Sequence, residues 1–249
     1  MFCTRRNFLK SAAAGASLVV SGSGALLLAR AATAEKQVAG PAGGGLIRPP
    51  GALPEKDFRA RCIGCGVCVN VCHAMKYDAI AIAGPGSGKN FGTPYIKDMR
   101  DFPCTLCMEC PKHCPTGALR KTGKEQAAMG MALIDPGLCF GWNGDVCLSC
   151  SKVCPLGASV FDFYNSAWGN QPYINDRCVG CGLCVKYCPL GGSAIRVATP
   201  SQYAAQKEEY VREIKNLMSM ANEERYRIVY DRNIPEIMAR GRLVEREYR

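Results

Sequence analysis

Apolar and polar positions form a readable pattern at three places in the chain. Towards the end, Tyr203, Tyr210, Ile214, Leu217 and Ala221 recur at helical spacing, with Lys207, Glu208, Arg212, Glu213 and Lys215 among them. From residue 201 to 249 there are ten basic and nine acidic residues, which predicts a solvated, salt-bridged helix and not a membrane helix. Pro235 breaks its pattern. In the middle, Asp78-Ala-Ile-Ala-Ile82 predicts a short strand. At the start, Ser11 to Ala29 is mildly apolar but loosened by Gly15, Gly22 and Gly24. It is near the lower length limit for a membrane span and rich in Gly and Ser, so it inserts poorly. Residues 35–54, with Gly40-Pro-Ala-Gly-Gly-Gly45 and Pro49-Pro50-Gly51, predict a flexible linker without regular structure.

Between Cys62 and Cys188 cysteine sets the pattern, at about one residue in eight. A run of three cysteines at i, i+3 and i+6, then a fourth four residues on, is the ligand run of bacterial [4Fe–4S] ferredoxins. It occurs four times: Cys62, Cys65, Cys68, Cys72; Cys104, Cys107, Cys110, Cys114; Cys139, Cys147, Cys150, Cys154; and Cys178, Cys181, Cys184, Cys188. These sixteen of the 17 cysteines are enough for four cubanes. In such runs the fourth thiolate ligates the other cluster of a pair. Sharing between adjacent runs groups Cys62, Cys65, Cys68 with Cys114; Cys104, Cys107, Cys110 with Cys72; Cys139, Cys147, Cys150 with Cys188; and Cys178, Cys181, Cys184 with Cys154. A nested scheme, run one with four and two with three, stays open, because runs one and four share R-C-[IV]-G-C-G-[VL]-C-V. Disulfides do not explain the repeated spacing, and structural zinc prefers separated C-x2-C pairs.

Pro94-Tyr-Ile-Lys-Asp98 precedes run two and Pro172-Tyr-Ile-Asn-Asp176 precedes run four, which predicts a duplication. The expected fold is α+β: two tandem ferredoxin units, 55–125 and 126–200, built of short helices and hairpins, followed by a helical tail, 201–249. So little apolar core makes folding depend on metal. Two runs depart from the pattern. His73 replaces the proline that follows the other runs, but Val69 stands where a haem-attachment motif needs cysteine. Run three has seven residues between Cys139 and Cys147, and its Trp142 either packs or shields a cluster. Gly84-Pro-Gly-Ser-Gly88-Lys-Asn90 is one residue short of a phosphate loop and reads as a turn between strands. No nucleophile–base pair or paired carboxylates stand out, so the chain reads as an electron carrier and not a catalyst by itself.

The net charge is +10. Residues 1–34 hold four Arg or Lys and no acid; without them 27 basic residues face 21 acidic ones. Four oxidised cubanes with their thiolates, at about −2 each, bring the total to roughly −2, and no basic patch with interleaved aromatics calls for nucleic acid. Thr4-Arg-Arg-Asn-Phe-Leu-Lys10 resembles the twin-arginine export motif, and Ala32-Thr-Ala34 offers a cleavage site. That route carries folded proteins, so the expected location is the periplasm, peripheral at the inner membrane. Cys3 lies in this leader and is not expected to be a ligand.

With its leader, its sixteen cysteines and the long spacing in run three, the chain resembles the ferredoxin-type NapG/MauM family. The resemblance implies a periplasmic partner of a polytopic membrane ferredoxin, NapH, the two acting as a quinol dehydrogenase. Electrons then pass to c-type cytochromes and a periplasmic nitrate reductase, or serve methylamine utilisation in the MauM branch. Two other readings stay in view: the electron-transfer β subunit of a molybdopterin oxidoreductase, and a maturation factor for a periplasmic reductase.

Overall fold

The structure, a computed structural model, describes residues 45–166, 169–225 and 227. The predicted export leader with Cys3, residues 35–44 of the predicted linker, and Pro235 lie outside the described residues. Contacts divide the chain between Gly43 and Gly44, and all the described residues belong to the second unit.

Helix α1, Glu55–Arg61, has Glu55 and Asp57 in its first turn and Arg59 and Arg61 in its last, which suits the helix dipole, and it buries Phe58. Helix α2, Val67–Ala74, carries two cysteines. Strands β1, Ile80–Ile82, and β2, Pro94–Ile96, form an antiparallel hairpin with Ile80 opposite Ile96. The glycine-rich segment 84–90 is the connection between them, a 3₁₀ turn. The expected strand over 78–82 is thus two residues shorter, because Asp78 adopts a positive φ of 53°.

The second half repeats the plan. Strand β3, Met131–Ile134, is buried along its whole length. Helix α3, Ser149–Lys152, comes next, then the hairpin β4, Phe161–Ser166, with β5, Gly169–Ile174. Helix α4, Leu183–Lys186, leads to β6, Ile195–Ala198, which returns to pair antiparallel with β3, Ile134 opposite Ile195. Three two-stranded sheets and short helices make the α+β fold expected. One continuous core runs through both halves. Nine of the cysteines are among its buried residues, and Cys62, Cys114, Cys154 and Cys178 pack against its edge.

Trp142 is fully buried, and its Nε1 donates to the Pro172 carbonyl at 3.0 Å. It is a packing residue that pins the long insertion of run three onto β5. The last helix, α5, Pro200–Ser219, begins with a capping box: Thr199 Oγ1 accepts from the Gln202 amide and Gln202 Oε1 from the Thr199 amide. Its buried residues are Tyr210, Ile214 and Leu217, three of the five that set the predicted periodicity. The Tyr210 hydroxyl lies 3.2 Å from both the amide nitrogen and the carbonyl oxygen of Ile134 in β3. The tail helix therefore packs back on the second half; Ala221 lies beyond its end and is exposed. No helix among the described residues is long and apolar enough to cross a membrane.

Residues 45–54 correct the linker expectation. The Ile96 amide donates to the Ile47 carbonyl at 2.8 Å, and the Arg120 amide to that of Gly51 at 2.7 Å, next to a bridge between Ala52 and Leu119. Pro49 and Pro50 are fully buried. Arg48 is 6% exposed: it binds both Glu55 carboxylate oxygens at 2.6 and 2.9 Å and Thr93 Oγ1 and the Pro94 carbonyl at 2.8 Å, and it covers the Phe58 ring. Pro and Gly do forbid helix and ladder here. They leave the carbonyls free to bond elsewhere, and an apolar strap with one anchoring arginine packs without regular structure.

Candidate iron–sulfur sites

Helix α2 shows how the runs work. Cys68 sits in its first turn and Cys72 four residues on, about 6 Å further along the axis. Cys68 lines a cavity of about 350 Å³ together with Cys62, Cys65 and Cys114. Cys72 lines another, of about 330 Å³, together with Cys104, Cys107 and Cys110. The 3₁₀ turn Cys110–His113 returns the exchange, since it ends at Cys114. In the second half Cys178, Cys181, Cys184 and Cys154 line a cavity of about 360 Å³. In the remaining group, Cys150 lies close enough to Cys147 and Cys188, and Cys139 to Cys150 and Cys147, for their charges to be felt. The structure thus brings each fourth cysteine beside the adjacent run: Cys114 stands with run one and Cys188 with run three.

The loops of runs one, two and four share one backbone. The residue two past the first cysteine and the residue one past the second both have positive φ: Gly64 and Gly66, Leu106 and Met108, Gly180 and Gly182. Amide hydrogens reach the sulfurs, one from such a loop and three from outside it. Ala79 donates to Cys72 Sγ at 3.3 Å, Leu119 to Cys114 Sγ at 3.4 Å, and Gly180 and Ala132 to Cys178 Sγ at 3.4 and 3.5 Å.

Burial governs the thiols. It pushes Cys68, Cys150 and Cys181 up to about 11 and Cys104 and Cys139 to about 12; Cys110 and Cys184 are raised as well, and neighbouring thiolates add to the rise. Cys114 goes the other way. Burial raises it too, but amide donors from Leu119, Thr116 and Ala118 and the Thr116 hydroxyl outweigh that. Clustered thiolates in apolar walls are costly unless a cationic core takes their charge, which iron in a cubane does.

The residues fit that group in two further ways. Thr105 Oγ1 is buried in the wall of the second cavity with no partner. A bare buried hydroxyl costs about 1–3 kcal/mol, and a cluster sulfur there would accept its proton. The sixteen cysteines described are all free of disulfides. Among the described residues no three His, Cys, Asp or Glu side chains are gathered tightly enough to hold a metal ion. Four thiolates on one zinc stand about 3.8 Å apart, closer than thiolates bound to separate corners of a cube. His73, 78% exposed, faces Asp78, and His113 is exposed; neither lines any of the three cavities.

Three features escape the sequence reading. Thr105 carries no signal in its residue type. Arg48 sits in a segment whose composition points elsewhere. Leu106 and Met108 do carry a positional signal that could have found them, since they stand where runs one and four have glycine.

Two family models match: a 4Fe-4S dicluster domain over residues 61–118 and a 4Fe-4S binding domain over residues 172–191. Among curated relatives, a methylamine utilization ferredoxin-type protein MauM from Methylorubrum extorquens is 40% identical over 61% of this chain and 71% of its own. MauM from Paracoccus denitrificans is 34% identical over 78% and 87%. The ferredoxin-type protein NapG of Escherichia coli is 35% identical over 78% and 84%. The ferredoxin domains and this extent of identity lead to one conclusion: the chain belongs to the MauM/NapG family of ferredoxin-type iron–sulfur electron-transfer proteins.

Proposed function

We propose that this chain holds four [4Fe–4S] clusters, each on the triplet of one cysteine run and the fourth cysteine of its neighbour. It is exported through its twin-arginine leader and works at the periplasmic face of the inner membrane. There it takes electrons from a quinol-oxidising, NapH-like membrane partner and passes them towards c-type cytochromes and a periplasmic reductase such as nitrate reductase. The observation that carries this reading is the set of three cavities, each lined by a triplet and a fourth cysteine one run away. Bound there, a cubane supplies a one-electron centre. The chain's own residues hold it, donate N–H groups to its thiolates and keep water off, which together set its potential. The MauM names of several relatives favour a second reading, in which the same machinery serves methylamine utilisation.

The test is anaerobic purification of the native protein from solubilised membranes, with iron and sulfide analysis and identification of what accompanies it. A polytopic cysteine-containing membrane protein, and cluster reduction by added quinol, are expected. A molybdenum subunit in fixed ratio without that membrane protein would point to the β-subunit role. Clusters that no quinol reduces in the membrane fraction would point to maturation.

A further inference from the structure

Four sites on one chain leave open the path between them. Each site takes the number of the run that supplies its triplet. Within the first half, sites 1 and 2 are tied by single turns of chain, Cys68 to Cys72 and Cys110 to Cys114. Within the second, α3 packs beside α4, and sites 3 and 4 are tied through Cys150 to Cys154 and Cys184 to Cys188. The halves meet at run two and run four. There the Cys104 amide donates to the Cys181 carbonyl at 2.9 Å, so a ligand of site 2 is hydrogen-bonded to a ligand of site 4. Lys186 Nζ clamps the contact by donating to the Asp101 carbonyl at 3.0 Å. Met99 lies over Gly182 so closely that a Cβ there would fall 2.5 Å from its sulfur.

Exposure singles out site 1. At the middle sites Cys72, Cys104, Cys110, Cys181 and Cys184 are buried and Cys107, Cys154 and Cys178 half-buried; at site 3 Cys139, Cys150 and Cys188 are buried. At site 1 Cys65 is exposed beside Ile63, 69% exposed. At site 3 Cys147 is half-buried beside Val146, 76% exposed.

We infer that the halves are wired through the Cys104–Cys181 hydrogen bond, so that electrons pass in the order 1–2–4–3 and not in chain order, and are exchanged with other redox proteins at sites 1 and 3. This rests on the four-cluster reading above. One electron crosses at a time, from a reduced one-electron donor protein at one end to an oxidised one-electron acceptor protein at the other. No bond to the chain forms or breaks, and no proton need move. The short bonded path from Cys104 Sγ to Cys181 Sγ, with one hydrogen bond in it, carries the crossing.

Electron paramagnetic resonance of the full-length holoprotein tests the order, with iron and sulfide counted on the same sample. In the unaltered protein, pulsed dipolar spectra at graded reduction should give three short separations and a clearly longest one, between sites 1 and 3. Six similar separations would overturn the line. Cys107→Ala, which empties site 2, should leave site 1 as an isolated spin with narrow lines while sites 3 and 4 stay mutually broadened. Site 1 still coupled to a site of the second half would overturn the order. A wild-type holoprotein without a cluster at site 2 or 4 overturns it together with the four-cluster reading. A full complement of iron with another coupling pattern overturns the order alone.

Discussion

Gly66, Met108 and Gly182 occupy one position in three runs, at φ values of 73°, 61° and 85°. Only the second carries a side chain, so the loop tolerates one at the cost of left-handed strain, about 1–2 kcal/mol. Gly66 has open space around the place of a Cβ, whereas at Gly182 that atom would press on Met99. Gly66→Ala is therefore expected to lower stability by about 1–2 kcal/mol with a full iron count. Gly182→Ala should cost more and also perturb the contact with run two; denaturation followed by cluster absorbance compares them. Thr105→Val removes the lone hydroxyl from the second cavity. A hydrogen bond to cluster sulfur favours the reduced, more negative state, so the midpoint potential of that cluster should fall while those at the other sites stay put. A redox titration reads this directly, and an unmoved potential would refute the contact. At this scale the sixteen cysteines were legible because their spacing is the chemistry. Thr105 was not, because its importance comes from what surrounds it.

Helix α5 and the strap over 45–54 show the same contrast one level up. The helix was readable from the spacing of Tyr210, Ile214 and Leu217, and the buried face is the one that spacing marks. Its cap predicts that Thr199→Ala destabilises it by about 1 kcal/mol, visible as faster amide exchange along 200–219. Asp176 holds the same helix from outside. Hydrogen bonds from Lys207 and the Tyr203 hydroxyl keep its carboxyl below the ordinary value of 3.8. A lowered carboxyl contributes in full above its unfolded value and loses that contribution as pH falls through the folded one. Acidification below about pH 4 should thus lower the protection of the helix amides relative to their intrinsic exchange, and Asp176→Asn should abolish that dependence. The strap escapes the sequence because composition reports on regular structure and not on packing. Arg48→Ala breaks its charged hydrogen bonds to Glu55 and should cost at least about 2 kcal/mol in a denaturant melt.

For the molecule as a whole, duplication was visible in the repeated Pro-Tyr-Ile and in the paired runs, but which thiols face each other was not. Adjacent and nested sharing use the same spacings, and only the folded chain separates them. Core and sites are continuous, with cysteines on both sides of that boundary. Stripping the iron with a chelator under reducing conditions should therefore abolish the cooperative thermal transition, and a near-native melt of the metal-free chain would count against this. The pairing of β3 with β6 has a further consequence, in time. All thiols of the first half lie between residues 62 and 114, and the strap that closes it reaches only to residue 127. Strand β3 must wait some sixty residues for its partner and longer for Tyr210. On a ribosome, where early segments fold first, half of the protein can be filled and sealed while the other half is still being made.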